Sequence, residues 1–261
     1  MIKQICRFQA ANYSSPTLAE LEGETLFPLA EGAPFTSLDR IGDSVALTDA
    51  RLLPPILPSK IVCVGRNYAE HASELGNKVP TEPLLFLKPP SSLIANGETI
   101  VIPPQSNQVE YEGEIGIVIG RVAKDLTDND NAFDYIFGFT CVNDVTARDL
   151  QRKDVQFTRG KSFDTFCPVG PSIALGVDPS TLGVETRVNG MMKQKAHSQQ
   201  MVFSIDFLVR YISNIMTLLP GDLIATGTPA GVSMLSAGDI VEVEVNGVGV
   251  LRNSVAGATQ K

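Results

Sequence analysis

Long apolar runs are missing from this sequence. None approaches the ~20 residues that a membrane-spanning helix requires. The opening residues, Met1-Ile2-Lys3-Gln4-Ile5-Cys6, also lack the apolar stretch and small-residue cleavage site of a signal peptide, so a cytoplasmic protein is expected. Positive charge is scarce as well. Lys and Arg number 21 against 29 Asp and Glu, a formal charge of −8. The clustered cations that neutralise nucleic-acid phosphates are absent, and no nucleic-acid partner is expected. The four cysteines, Cys6, Cys63, Cys141 and Cys167, lie scattered among apolar neighbours with no CxxC spacing. That argues against a zinc site and a disulfide framework, and predicts buried, reduced thiols. Histidine is rarer still: only His71 and His197 are present.

What is there suits a soluble globular chain. The 261 residues allow one large domain, or a main domain with a small appendage, and 43% hydrophobic with 19% charged residues is ordinary for such a fold. Residues 1–55 hold short apolar pieces broken by Ser, Pro and Gly, then Leu53-Pro54-Pro55-Ile56-Leu57-Pro58. Prolines at this density sustain neither helix nor ladder, so a linker is expected between a small N-terminal region (1–55) and the main domain (56–261). Lys60-Ile61-Val62-Cys63-Val64-Gly65 opens that domain as a strand, and Asn67 is placed to cap a helix running from Tyr68 to Leu75. The remainder is rich in strands. Two Val-Asn-Gly turns, at 188–190 and 245–247, signal hairpins, because Asn-Gly accepts positive φ. One amphipathic helix stands out. From a Ser204 cap, Ile205, Leu208, Val209, Ile212, Ile215, Met216 and Leu219 recur at three- and four-residue spacings, and Pro220-Gly221 stops it.

The chemistry gathers in a few places. In Val109-Glu110-Tyr111-Glu112-Gly113-Glu114-Ile115, the period of two on a strand puts Glu110, Glu112 and Glu114 on one side. Carboxylates bunched there repel one another unless a positive charge sits between them, and a hard divalent cation with oxygen ligands answers that need. A solvated acidic face would give the same pattern. Asp144, at the end of the apolar run 136–142, could complete a three-carboxylate shell with Glu112 and Glu114. Arg148 and Gln151 follow four and seven residues later, on its face if the chain is helical; a capping Asp and a surface Arg are the alternative. His71 and Glu74 are three apart and neighbours on a helix, where a carboxylate orients an imidazole and raises its basicity; an exposed i,i+3 ion pair is the alternative. His197 sits in a polar loop and is read as structural. Gly160-Lys161-Ser162 lacks the upstream glycine of a P-loop, since Val155 stands there, so nucleotide binding is excluded at this loop. The turn Ala225-Thr226-Gly227-Thr228-Pro229 can present N–H groups and the Thr228 hydroxyl to an anion.

Taken in order, Arg66-Asn67-Tyr68-x-x-His71, Phe86-Leu87-Lys88-Pro89, Tyr111-Glu112-Gly113-Glu114, Asn143-Asp144-Val145-Thr146-Ala147-Arg148-Asp149, Gly160-Lys161-Ser162-Phe163-Asp164 and Thr226-Gly227-Thr228-Pro229 resemble the fumarylacetoacetate hydrolase family over about residues 60 to 255. The resemblance implies an α+β, strand-rich fold, a mixed β-sandwich roll with few short helices, and a variable N-terminal extension. It implies Mg²⁺ or Mn²⁺ held by Glu112, Glu114 and Asp144. Lys161 acts beside the metal, and Arg148, Gln151 and Thr228 hold substrate. A His–Glu general base, as in the smaller acylpyruvase-like members, falls on His71 and Glu74. The implied substrate is a small 2-oxo acid reacting through an enolate. C–C cleavage, either acylpyruvate hydrolysis or oxaloacetate decarboxylation, is expected first. Oxaloacetate tautomerisation or hydroxymuconate-type isomerisation is the alternative. A non-catalytic ligand-binding protein on the same fold is disfavoured, because the residue set is intact. A homodimer is expected from the resemblance alone.

Overall fold

The glutamate-bearing strand lies in the middle of the molecule, and its surroundings explain why it is buried on both faces. The computed structural model describes residues 2–30, 32, 35 and 37–258. The N-terminal strands are β1 (Lys3–Ala10), β2 (Thr17–Glu22), β3 (Thr25–Pro28), β4 (Val45–Ala46) and β5 (Ala50–Leu53). After the proline-rich stretch come β6 (Ile61–Gly65), helix α1 (Ala69–Glu74), β7 (Leu84–Lys88), β8 (Leu93–Ile94), β9 (Thr99–Ile102), β10 (Val109–Glu110) and β11 (Gly113–Ile119). The remainder comprises β12 (Ile136–Asn143), β13 (Thr146–Ala147), α2 (Arg148–Asp154), α3 (Thr158–Lys161), β14 (Cys167–Leu175), β15 (Gly183–Val188), β16 (Met191–His197), α4 (Ile205–Ser213), β17 (Leu223–Ala225), β18 (Ile240–Val245) and β19 (Gly249–Gly257).

Twelve strands form one mixed sheet with the central order β4-β3-β2-β1-β14-β12-β11-β17-β6-β7. A second sheet, β16-β15-β18-β19-β9, packs across it, and β10 pairs with β13 in a small ladder beside the site. Ile115, Ile117 and Ile119 of β11 point into the core shared with Val184, Val243, Val245 and Leu251 of the second sheet and with Leu208, Val209 and Ile212 of α4. Val118 points the other way, against Val142, Val169, Leu223 and Leu29. The period of two therefore sorts β11 between two cores, and every residue of it is buried. This is the strand-rich architecture expected. Among the described residues no helix is long and apolar enough to cross a membrane.

Several local expectations need correction. Residues 1–55 do not stand apart from the rest: β1 joins the large sheet through β14, with Lys3 opposite Leu175. The linker itself contributes Ile56 to the core. Helix α4 ends at Ser213, short of Leu219. Leu218 and Ala123 exchange backbone hydrogen bonds of 2.9 Å each, which pulls the chain out of the helix, and Ile215 and Leu219 are exposed. The Ser204 hydroxyl donates to Asp206 Oδ1 at 2.6 Å and caps no backbone N–H. Asn67 is not the cap of α1; Tyr68 holds that place, and the Asn67 amide is used elsewhere. The Asn189-Gly190 turn is found with φ of 52° and 76°. The second hairpin closes with Val245 opposite Gly249, a three-residue turn.

Candidate active site

Glu112 and Glu114 flank Gly113, and the lack of a side chain there is a geometric requirement. A Cβ on Gly113 would lie 2.0 Å from Thr186 Oγ1 of β15. The second sheet can therefore press against the backbone between the two glutamates, and Gln194 of β16 accepts the Gly113 N–H at 3.0 Å. The strand is not continuous as expected. It breaks at Tyr111-Glu112, and Glu110, on the separate β10, falls outside the cluster, where Arg148 Nε and Gln108 Nε2 donate to it. At the end of the neighbouring strand β12, Asn143 Oδ1 accepts the Glu112 N–H at 3.0 Å, and the Asp144 N–H donates to the Glu112 carbonyl at 2.8 Å. These two bonds bring Asp144 alongside the glutamates. Carboxylate oxygens of Glu112, Glu114 and Asp144 lie within 4.8 Å of one another, and all three residues are buried.

Three buried cations answer them unevenly. Lys161 Nζ bridges Glu112 Oε2 at 2.6 Å and Asp144 Oδ2 at 2.7 Å. Lys88 Nζ donates to Asp144 Oδ1 at 2.6 Å and to the Val145 carbonyl at 3.1 Å. Arg148 pairs with Glu110 and Glu112, and its third donor reaches Gln151 Oε1 at 2.6 Å. Glu114 has no cation within salt-bridge distance among the described residues; it accepts the Gly227 N–H at 2.8 Å. Burial, with Asp144 and Glu112 beside it, lifts the Glu114 carboxyl well above its ordinary range. Burial would do the same to Glu112, but Lys161 and Arg148 hold that group well below the ordinary range. A buried carboxylate short of positive charge, grouped with two more oxygen donors, fits a hard divalent cation.

Helix α1 supplies the histidine. His71 is buried, and its Nδ1 lies 3.2 Å from Glu74 Oε2. The other Glu74 oxygen accepts the Gly231 N–H at 2.9 Å, so the carboxylate is fixed at both ends. With Nδ1–H donating to Glu74, Nε2 is left as the basic nitrogen. A cavity of about 470 Å³ is lined by His71, Glu112, Glu114, Asp144, Arg148, Gln151, Lys161 and Thr228. The fold thus gathers eight of the nine residues singled out from the sequence, with Glu74 behind His71. Thr228 Oγ1 donates to the Gly113 carbonyl at 3.0 Å and accepts from Gln194 at 2.7 Å. Asp144 does not share a helix with Arg148 and Gln151, since β13 intervenes and α2 begins at Arg148.

Sequence reasoning gave no role to Lys88, although the Phe86-Leu87-Lys88-Pro89 motif contains it. A lysine closing an apolar strand was the available signal. Arg66 and Phe86, quoted above only as motif residues, and Phe157, which no motif contains, line the same cavity.

The family model described as fumarylacetoacetate hydrolase C-terminal matches residues 60–256. The chain belongs to the fumarylacetoacetate hydrolase family. An uncharacterised protein of Archaeoglobus fulgidus is 53% identical over 82% of this chain and 85% of its own length. The oxaloacetate tautomerase YisK of Bacillus subtilis is 36% identical over 97% of this chain and 93% of its own. The crystal structure of a 2-hydroxyhepta-2,4-diene-1,7-dioate isomerase from Mycobacterium marinum superposes with a TM-score of 0.90 at 42% identity, covering 99% of this chain and all of that one. Family membership accounts for the strand-rich fold.

Proposed function

We propose that this family member is a divalent-metal-dependent enzyme of small 2-oxo acids that moves a proton at the carbon beside the keto group, with keto–enol tautomerisation of oxaloacetate as its reaction. The observation that carries this reading is one cavity holding a carboxylate-backed imidazole opposite three clustered carboxylates. The tautomerase and isomerase relatives support placing proton transfer ahead of C–C cleavage, which the sequence alone ranked first. Glu112, Glu114 and Asp144 would hold Mg²⁺ or Mn²⁺, which supplies a Lewis acid for the keto oxygen.

The chain's own groups do the rest. His71 Nε2 takes the proton from carbon, Glu74 stabilises the imidazolium that results, and that proton passes to the enolate oxygen to give the enol; in the opposite direction His71 returns it to carbon. Lys161, held between Glu112 and Asp144, places a positive charge where the enolate oxygen develops. Thr228 and Gln151 line the cavity where the substrate carboxylate would lie, whereas the Arg148 guanidinium is committed to Glu110, Glu112 and Gln151. The His71–Glu74 pair would equally activate water, and acylpyruvate cleavage is the second reading on that ground.

The test follows the decay of enol-oxaloacetate with Mg²⁺ and with chelator, in the wild type and in His71→Ala. Positioned general bases contribute about 10²–10⁴-fold, and the variant should lose that much. Decarboxylation needs no base and should fall far less, whereas acylpyruvate hydrolysis should fall with tautomerisation. Full enol turnover in His71→Ala, or in chelator, would defeat the proposal. We also propose a homodimer; a single 28 kDa species by light scattering at micromolar concentration would reject it.

A further inference from the structure

Arg66 is a half-buried cation that pairs with no carboxylate among the described residues. It lines the cavity with His71 and Lys161, and among the described residues its guanidinium has no hydrogen bond or ion pair. The cations deeper in the site differ. Lys88, Lys161 and Arg148 each bind carboxylates at salt-bridge distance. Arg152, also on the wall, donates to Gln108 at 3.5 Å.

The backbone presents Arg66 at a cost. Its φ of 59° lies in the left-handed region, where a residue with a Cβ is strained and glycine is not. Both flanks impose that conformation. Gly65 is fixed in the ladder opposite Leu84. Asn67 is pinned by its amide donating to Thr226 at 2.8 Å and to Phe203 at 3.1 Å, by the Phe203 N–H at 2.7 Å, and by the Val202 N–H at 2.8 Å. Gly227 packs so closely that a Cβ there would stand 2.7 Å from that of Asn67. Glycine would fill this slot without strain; arginine there adds a guanidinium to the cavity lining.

Charge balance says for what. In and beneath the site, the four carboxyl groups of Glu110, Glu112, Glu114 and Asp144 stand against three cations, Lys88, Arg148 and Lys161. With all four ionised around a divalent ion the sum is +1, and the carboxylate of a 2-oxo acid brings it to zero. A second carboxylate has no counter-charge among these groups, whereas Arg66 offers a bidentate fork from the cavity lining. We infer that Arg66 is a specificity-determining residue that binds the distal carboxylate of the substrate and selects 2-oxo dicarboxylates over 2-oxo monocarboxylates. This rests on the 2-oxo acid reading above and assigns its substrate class to one side chain.

The test is calorimetric titration of the full-length, Mg²⁺-loaded protein with oxaloacetate and with 2-oxobutanoate, which carries a methyl group in place of the distal carboxylate. The wild type should favour oxaloacetate by about ten-fold or more, the scale of a charge-assisted hydrogen bond. Arg66→Met should erase that preference, and Arg66→Lys should keep part of it. Arg66→Gly should erase it too while melting no lower than wild type, because the φ strain is relieved; this separates recognition from misfolding. A preference unchanged in the Met and Gly variants, or absent from the wild type, overturns the inference. Discrimination by a wild type that turns over no enol-oxaloacetate would instead refute the tautomerase reading and leave the role of Arg66 standing.

Discussion

Replacing Lys88 with methionine tests whether the buried charges are balanced as the structure shows. Lys88 is buried beneath the carboxylate cluster, with its ammonium 2.6 Å from Asp144 Oδ1 and 3.1 Å from the Val145 carbonyl. Methionine is nearly as long and leaves the apolar stem's packing in place, so the change removes charge more than volume. Asp144 would then share Lys161 with Glu112 and have no cation of its own. Removing one partner of a buried pair costs about 3–5 kcal/mol, because the other is left buried and uncompensated. In a chain of this size about 1 kcal/mol moves Tm by roughly 2–4 °C, so a fall of about 6–20 °C is expected in chelator. Mg²⁺ or Mn²⁺ should return part of that loss, since binding to the folded state alone stabilises it and the freed carboxylate is a ligand candidate. Calorimetry or dye-monitored melting with EDTA and with each metal reads both effects. A Lys88→Met protein melting within about 2 °C of wild type in EDTA would refute the charge accounting for the whole cluster.

Other expectations follow from the same packing. Gly113→Ala should destabilise the protein and weaken metal-induced stabilisation, because its Cβ would meet Thr186 Oγ1 at 2.0 Å; adding Thr186→Ala removes that oxygen, and a double-mutant cycle should show recovery of part of the loss. Non-additivity of zero would show that the contact does not limit the site. Burial pushes the thiols of Cys6, Cys141 and Cys167 up to about 12, and that of Cys63 well above its ordinary value. Thiolate forms only as pH approaches the raised pKa, so at pH 8 a group near 12 is ionised to about 10⁻⁴, and native protein should resist alkylation. All four cysteines should label once the chain is unfolded in guanidinium; rapid labelling of the native protein would contradict their burial. Glu114→Gln should remove most of the Mg²⁺-induced rise in Tm while leaving the protein folded in chelator, since a neutral isostere replaces a carboxylate whose one hydrogen bond among the described residues is from the Gly227 N–H.

The sequence by itself determined what depends on near neighbours. The spacing of three between His71 and Glu74 becomes a contact because a helical turn brings such residues together, and α1 forms there. Glu112 and Glu114 converge because residues two apart in extended chain share a side. Asn189-Gly190 turns the chain because those two residues tolerate positive φ. The order of short motifs was specific enough to point to the family that residues 60–256 match. Tertiary structure decided everything that rests on register between distant strands. Lys88 meets Asp144 across 56 residues, and Lys161 meets Glu112 across 49. No local pattern marks a lysine whose partner is that far away. The apolar spacing of Ile215 and Leu219 suited a longer helix, but the Leu218–Ala123 bridge ended it. The N-terminal segment read as a separate region because its strands are short, yet β1 is hydrogen-bonded into the central sheet by β14, whose sequence lies some 170 residues away. Side-chain periodicity tells a strand which face to bury and says nothing of which strand will lie beside it. The charges of the site are balanced by that second choice.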